Sequence, residues 1–257
     1  MRRPIVGMSM KLYRNNQQEE AIYSHSLVDL LGSEEEVELF YCPSLSVLHI
    51  AAPILEHSPI QLGAQNIASI SNGALTGEYS IEGLIEQGGS YAEIGHAERR
   101  LQLNESDYLI SKKVKLALEQ GVTPLLCIGE QEKFAPDQRS QFLEGQLLAS
   151  LAGVDVDKIG QLVLAYEPVW AIGQADAADA QYVHESHQIL RELLEKYFGE
   201  EVAQQIRILY GGSVSAENAA ELVDSLDVDG LFVGRFGHIP QQLASIVSTV
   251  KTIKLER

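Results

Sequence analysis

A glutamate directly after an apolar run is the side chain in this sequence best placed to act as a base. Glu167 follows the run 161–166 and precedes Pro168 and a loop that carries Trp170 and ends on Gly173. The run predicts a β-strand, and a strand end holds a carboxylate rigidly while the loop beyond it can close and exclude water. A lone glutamate at a strand end is more often an ordinary surface residue, so the rest of the sequence must decide.

Four further groups of polar residues and glycines stand directly after other predicted strands. They are Lys11, His96 with Glu98, the run Gly211-Gly212-Ser213, and Gly234 with Arg235. Taken alone, each has an ordinary explanation as a solvated lysine, a helix cap or a tight turn. In a barrel of parallel strands, however, the carboxyl ends of all the strands share one rim, and catalytic sites are built there. Their common position therefore predicts a single site on that rim.

The residue types at these positions indicate a reaction in which a proton moves next to a carbonyl group. Glu167 would be the general base. His96, held neutral at the start of a helix, would donate a hydrogen bond to an oxygen that is becoming an enolate. Lys11 would supply positive charge for that oxygen and for a phosphate group, which the glycine-rich loops after the last two strands would bind through backbone N–H groups. This chemistry requires no metal and no organic cofactor, and we predict none.

Eight short apolar or β-branched runs, each followed by a helical pattern, predict the elements that hold these residues. The predicted strands are 4–9, 37–42, 60–65, 91–95, 122–127, 161–166, 205–210 and 228–233, and amphipathic stretches lie at 17–31, 111–120, 141–151, 182–198 and 241–253. Strands that alternate with helices pair in parallel through right-handed crossovers. We therefore predict the α/β class, with residues 1–257 forming a single closed (β/α)8 barrel, or TIM barrel. The alternative is an open doubly wound sheet, whose usual G-x-G-x-x-G turn is missing from the sequence.

The composition is that of an ordinary globular protein with a strongly acidic surface. Hydrophobic residues make up 45% of the 257 residues, which is enough for a sizeable core. The formal net charge of −17 disfavours binding to nucleic acid or to anionic lipid. Neither a signal peptide nor an apolar run of the roughly 20 residues needed for a membrane span is evident. Two cysteines, Cys42 and Cys127, make no disulfide framework, and the expected location is the cytoplasm.

Along essentially its whole length, the sequence resembles the triosephosphate isomerase family. The motifs that carry this resemblance are Gly63-Ala64-Gln65-Asn66, Cys127-Ile128-Gly129-Glu130 and the segments 73–78, 95–100, 165–173, 210–214 and 227–234. The resemblance implies Lys11, His96 and Glu167 as the catalytic set, with Glu98 supporting these residues from outside the layer that contacts the substrate. It implies a small phosphorylated sugar as the substrate, held by the N–H groups of Gly173, Ser213, Gly234 and Arg235. It also implies a homodimer in which the loop around Thr76 reaches towards the partner's active site.

Four features depart from the family pattern, and all of them line the expected site or its lid. Ser9 stands where the family has Asn, Ala97 where it has Ser, and Arg235 where it has a second Gly. The Arg235 side chain would either contact the phosphate or point to solvent. The second half of the lid, residues 174–180, lacks the usual Thr-Gly start and is shorter than is usual in the family. Because the charged catalytic groups are all retained, these changes favour an altered substrate over a phosphate-binding protein without turnover.

The exchange of Asn for Ser at position 9 indicates which substrate to expect. A shorter side chain beside the carbonyl end leaves room for an extra hydroxymethyl group, while the phosphate end stays the same. We therefore expect interconversion of L-erythrulose 1-phosphate and D-erythrulose 4-phosphate, a reaction known from a related group of these enzymes. The alternative is a triosephosphate isomerase acting on dihydroxyacetone phosphate and glyceraldehyde 3-phosphate.

Overall fold

A closed barrel of eight parallel strands forms the centre of the protein in a computed structural model that describes residues 2–174 and 178–256. The strands are β1 (Ile5–Ser9), β2 (Glu38–Cys42), β3 (Ile60–Ala64), β4 (Gly89–Ile94), β5 (Thr123–Ile128), β6 (Val163–Tyr166), β7 (Arg207–Tyr210) and β8 (Gly230–Val233). Each strand pairs with the next, and β8 pairs with β1, where Gly230 lies opposite Ile5. The predicted (β/α)8 barrel is confirmed, whereas the single domain for residues 1–257 stays a prediction.

Helices surround the barrel and connect successive strands. In the described residues they are α1 (Gln17–Leu31), α2 (Leu48–Leu55), α3 (Ile81–Glu86), α4 (Ala97–Gln102), α5 (Asp107–Glu119), α6 (Pro136–Ser150), α7 (Val156–Ile159), α8 (Ala180–Phe198), α9 (Glu200–Gln205), α10 (Ala219–Val223) and α11 (Pro240–Leu255). The stretch predicted at 17–31 matches α1, but α5 and α8 begin earlier than predicted. Each of these two helices starts directly after a capping residue, Ser106 or Asp179, whose side chain accepts hydrogen bonds from backbone N–H groups of the first turn.

Three of the predicted strands, β6, β7 and β8, begin two residues later than the apolar runs suggested. Gln161 and Leu162 close a turn instead, because their N–H groups donate to the carbonyl oxygens of Lys158 and Ile159 at 3.1 and 2.9 Å. Residue 205, the predicted start of β7, is the last residue of α9. Periodicity alone does not distinguish a short buried helix or turn from a strand start. The differences lie at the amino ends of the strands and leave the rim unchanged.

Aromatic rings fill the barrel interior below that rim. The ring of Phe40 stacks on Tyr91 with centroids 4.3 Å apart and lies 5.9 Å from the ring of Phe232. Gly7 makes this possible, because a Cβ at its position would lie 1.9 Å from Phe40 Cζ. With the interior packed in this way, inward-facing side chains at the carboxyl ends of the strands open only towards the rim.

The loop that follows β3 projects into solvent. Residues 72–78, including Thr76, are exposed. Among the described residues, no helix is long and apolar enough to cross a membrane.

Candidate active site

The carboxyl ends of the strands surround a pocket of about 340 Å³. Every residue that the sequence predicted for the site lines this pocket: Ser9, Lys11, His96, Glu98, Glu167, Gly173, Ser213, Gly234 and Arg235. They are contributed by the ends of five different strands and the loops that follow them. Closure of the barrel is therefore what brings them together.

The backbone of Glu167 is tightly held at the end of β6. Its N–H group donates to the carbonyl oxygen of Ile128 at 2.8 Å. Two glycines make room for the residue, since a Cβ at Gly129 would lie 2.0 Å from the Glu167 carbonyl oxygen and one at Gly211 would lie 2.8 Å from Oε1. The side chain is buried, and its Oε2 has no hydrogen-bond partner among the described residues. That oxygen is therefore free to accept a proton from a bound ligand.

The surroundings of Glu167 make it a stronger base than an ordinary carboxylate. Burial raises its pKa to about 8, the negative charge of Glu93 acts in the same direction, and Lys11 opposes both. A general base works best when its pKa lies near the operating pH, because it is then both available and basic enough to take the proton.

His96 lies beside Glu167 as a neutral imidazole. Burial lowers its pKa to about 4, and the positive charge of Lys11 adds to this effect while Glu98 opposes it. The ring caps α4, with Nδ1 accepting a hydrogen bond from the Glu98 N–H group at 3.1 Å, so the ring proton is on Nε2. Nε2 lies 3.7 Å from Glu167 Oε2, and a donor and a base can thus reach neighbouring atoms of one ligand. The sequence argument attributed the neutral ring to the helix terminus, whereas burial is the larger cause.

Lys11 brings a fixed positive charge to the same pocket. Its Nζ donates to Glu98 Oε1 at 2.5 Å. Burial lowers the pKa of Lys11, but the hydrogen bond and charge of Glu98 outweigh this effect and the net shift is upward. The backbone of Lys11 has a left-handed φ of 50° and is held by a hydrogen bond from Gln65 Nε2 to its carbonyl oxygen at 2.9 Å. A strained non-glycine residue of this kind is typical of functional sites.

Free backbone donors line the opposite side of the pocket, after β6, β7 and β8. The N–H groups of Gly173, Ser213 and Gly234 donate to no acceptor within residues 2–174 and 178–256. Gly173 and Ser213 have left-handed φ values of 72° and 49°, and nothing lies within 4 Å of a Cβ built on Gly173 or Gly234. Converging N–H groups with open space before them form a suitable site for an anion.

Comparison with known proteins agrees with this geometry. The model of the family described as triosephosphate isomerase matches residues 4–250. The chain belongs to the triosephosphate isomerase family. A protein of Listeria monocytogenes serovar 1/2a named probable triosephosphate isomerase 2 is 43% identical over 255 residues, which cover 99% of this chain and 100% of the relative. A triosephosphate isomerase of Magnetococcus marinus is 40% identical over 237 residues, covering 91% of this chain and 93% of the relative. The protein is therefore an isomerase of this family, an intramolecular oxidoreductase.

Two residues in which this isomerase departs from the family pattern take part in unexpected contacts. Arg235 is exposed, and its guanidinium donates to the carbonyl oxygen of Gln174 and, at 3.5 Å, to that of Gly173. Ser213 Oγ also donates to the Gln174 carbonyl oxygen, at 2.9 Å. Ser9 Oγ donates to Glu93 Oε2 at 2.8 Å. Ala97, the third substitution, is buried in the first turn of α4 and lines the pocket.

The lid of this family member is anchored at both ends. At the start, the carboxylate of Glu130 accepts hydrogen bonds from Tyr166, Trp170 and Tyr182. At the other end, the Ala178 N–H group donates to the hydroxyl of Tyr210 at 3.0 Å. Residues 175–177, on which the expectation of a shortened lid partly rests, lie outside the described residues.

Glu93 is the residue of the site that the sequence analysis missed. It lies on β4 two positions after Tyr91, so both side chains point into the barrel, and it is 3% exposed. Burial raises its pKa to about 7, although the hydrogen bond from Ser9 acts against this shift. The available signal was a charged residue inside a predicted buried strand, where an unpartnered carboxylate would be costly.

In the part of the chain that the structure describes, no group of three or more His, Cys, Asp or Glu residues is arranged to hold a metal ion.

Proposed function

We propose that this isomerase interconverts L-erythrulose 1-phosphate and D-erythrulose 4-phosphate. The carbonyl group moves between the two inner carbons of the four-carbon chain through an enediol or enediolate. The observation that carries this proposal is the short Ser9 side chain at the deep end of the pocket, near Lys11. Compared with the asparagine expected there from the family pattern, serine leaves room for the hydroxymethyl group that distinguishes the four-carbon substrate.

Each reacting group has a part in this reaction. Glu167 removes the proton from the hydroxyl-bearing carbon next to the carbonyl group and returns it to the former carbonyl carbon, while the hydroxyl proton passes to the former carbonyl oxygen. His96 Nε2–H donates a hydrogen bond to the oxygen on which negative charge develops, and the Lys11 ammonium stabilises the same charge. Glu98 holds the Lys11 side chain in place through the 2.5 Å contact.

Phosphate binding lies on the other side of the pocket. The backbone N–H groups of Gly173, Ser213 and Gly234 bind the phosphate oxygens. This assignment is supported by the lack of an acceptor for these donors among the described residues. Arg235 lies on the rim beside them, where a phosphate would compete with the lid carbonyl oxygens for its guanidinium. No cofactor takes part in this mechanism.

A triosephosphate isomerase acting on dihydroxyacetone phosphate is the second candidate. It is favoured by the printed names of the relatives, including triosephosphate isomerase 2 of Listeria innocua, which is 43% identical over 256 residues covering 99% of this chain and 100% of the relative. The same base, electrophile and lysine would serve, because dihydroxyacetone phosphate lacks only the hydroxymethyl group on the carbon that loses its proton.

A turnover assay on both substrates decides between the two candidates. We expect kcat/KM for L-erythrulose 1-phosphate to exceed that for dihydroxyacetone phosphate by on the order of 10-fold or more, the discrimination typical of one added group in a fitted pocket. A kcat/KM for dihydroxyacetone phosphate near the diffusional ceiling of about 10⁸–10⁹ M⁻¹s⁻¹ would instead establish the three-carbon substrate. Absence of turnover and of solvent deuterium incorporation with both compounds would contradict isomerase activity altogether.

We propose further that the protein is a homodimer with the Thr76 loop at the interface. Exposure of residues 72–78, with Leu75 41% exposed at their centre, supports this proposal. Sedimentation equilibrium is expected to give twice the chain mass of 28.2 kDa, and Thr76→Arg is expected to shift the protein towards monomer. A monomeric mass for the unmodified chain would overturn the proposal.

A further inference from the structure

We infer that Ser9 and Glu93 together form a subsite for the terminal hydroxyl group of the substrate, with Ser9 making the contact and Glu93 positioning it. This inference rests on the proposed four-carbon substrate and deepens it. The carboxylate of Glu93 is buried and the isomerisation itself does not use it. The inference makes Glu93 a residue that determines substrate specificity.

The hydrogen bond between the two residues crosses the barrel. Ser9 is the last residue of β1 and Glu93 lies near the end of β4, 84 positions later in the sequence. β1 and β4 are not neighbours in the barrel, where β2 and β3 separate them on one side. The bond therefore spans the interior at the level just below the rim, above the layer of Phe40, Tyr91 and Phe232.

Ser9 is the member of the pair that a ligand can touch. It lines the pocket although it is only 2% exposed, so it lies at the deep end, whereas Glu93 does not line the pocket. The phosphate-binding donors lie on the β6, β7 and β8 side of the rim. A substrate held there and extended past His96 and Glu167 places its far end towards Ser9.

The contact with Glu93 determines what kind of group Ser9 can bind. A serine hydroxyl has one proton to donate and lone pairs with which to accept. Because Ser9 directs its proton to Glu93 Oε2 at 2.8 Å, its remaining capacity is that of an acceptor. An acceptor at this position binds the hydroxyl of the extra hydroxymethyl group, which can donate, and finds no partner in dihydroxyacetone phosphate, which has only hydrogen in place of that group. Because hydrogen bonds in a chain polarise one another, the bond to Glu93 also makes the Ser9 oxygen a stronger acceptor.

Burial is the largest cause of the raised pKa of Glu93, about 7, so its ionised form is costly at this place. The groups that interact electrostatically with Glu93 are Lys11, Arg99, Glu98, Glu167 and the thiols of Cys42 and Cys127. Lys11 and Arg99 favour its charged form and the two glutamates disfavour it. An apolar residue would fill this interior position without such a cost, so the carboxylate calls for a reason beyond packing.

A double-mutant cycle on the full chain tests the inference, with the ratio of kcat/KM for the four-carbon to the three-carbon substrate as the readout. Ser9→Ala and Glu93→Leu are each expected to lower this ratio about 10-fold, the effect of one hydrogen bond to a polarised acceptor. The double variant is expected to lower it no further, because the two residues act as one unit. Glu93→Gln is expected to retain most of the ratio, since its amide oxygen still accepts the Ser9 proton.

A second buried serine–glutamate pair provides the matched control. Ser24 Oγ donates to Glu20 Oε1 at 2.9 Å, and both residues lie on α1 away from the pocket. Ser24→Ala loses a comparable buried contact and is expected to leave the substrate ratio unchanged. If Ser24→Ala changes the ratio as much as Ser9→Ala does, the effect is one of general stability and the inference fails.

The outcomes separate the inference from the proposed function. If the wild-type chain prefers the four-carbon substrate and Ser9→Ala keeps that preference, the subsite is wrong while the proposed function stands. If the wild-type chain prefers the three-carbon substrate, the proposed function fails and the subsite with it. Should Glu93→Leu fail to fold, the substrate ratios of Ser9→Ala and Glu93→Gln decide the question.

Discussion

Glu167→Asp is expected to lower kcat on the order of 100-fold while the fold is retained. The change withdraws the carboxylate by one methylene, and a displacement of about 1 Å from a reacting atom costs about this much. The backbone of Glu167 cannot move forward to compensate, because its N–H group is bonded to Ile128 and its carbonyl oxygen lies against Gly129. The measurement is kcat on the preferred substrate, together with a thermal melt of the variant.

An exposed glutamate supplies the control for this variant. Glu192 lies on the outer face of α8, where it accepts a hydrogen bond from Gln188, and Glu192→Asp is expected to leave kcat unchanged. If Glu167→Asp turned over substrate at nearly the wild-type rate, Glu167 could not be the base. A large loss of kcat with an unchanged melting temperature would support the assignment.

Lys11→Met is expected to lower kcat/KM on the order of 100- to 1000-fold, the range observed when one preorganised group is withdrawn from a developing oxyanion. Methionine keeps most of the length of the side chain and its apolar stem, so the left-handed backbone at this position faces no new steric demand. Because both the phosphate and the enediolate are negatively charged, we expect kcat and KM to worsen together.

The pH profile of Lys11→Met provides a second readout. In the wild-type chain, burial and the charge of Glu93 raise the pKa of Glu167 to about 8, and Lys11 holds it below the value it would otherwise have. Removing the lysine charge makes it harder to ionise Glu167, so the rise of kcat/KM with pH is expected to move to higher pH. If the rise of kcat/KM with pH stayed at the same pH, Lys11 and Glu167 would not interact electrostatically.

The control for Lys11→Met is a lysine on the surface. Lys115 lies on α5 and pairs with Glu119 at 3.9 Å, with both side chains about half exposed. Lys115→Met removes the same charge from the protein and is expected to change neither kcat/KM nor the pH profile. An equal loss of kcat/KM in both variants would attribute the effect to the net charge of the protein and would show that Lys11 has no specific role.

Much of the fold and most of the site could be predicted from the sequence by itself. Alternating apolar runs and helical patterns predicted all eight strands, because side-chain periodicity is a local property that each segment carries alone. Glu167, His96 and Lys11 were predicted to meet because parallel strands that close into a barrel put their carboxyl ends on one rim. The structure places all three in one pocket.

Only the tertiary structure decided which residues meet across the barrel and how they titrate. The contact between Ser9 and Glu93 depends on strand order and on the direction of each side chain, neither of which is visible in a segment read alone. The pKa of Glu167 depends on burial by every element around it, and desolvation belongs to the assembled protein. From the sequence, Arg235 could be expected to contact phosphate or solvent. Its hydrogen bonds to carbonyl oxygens of the lid could be predicted only once the course of the lid backbone was known. Sequence patterns therefore determined where the reactive residues stand along the chain, while packing determined their partners and their charge.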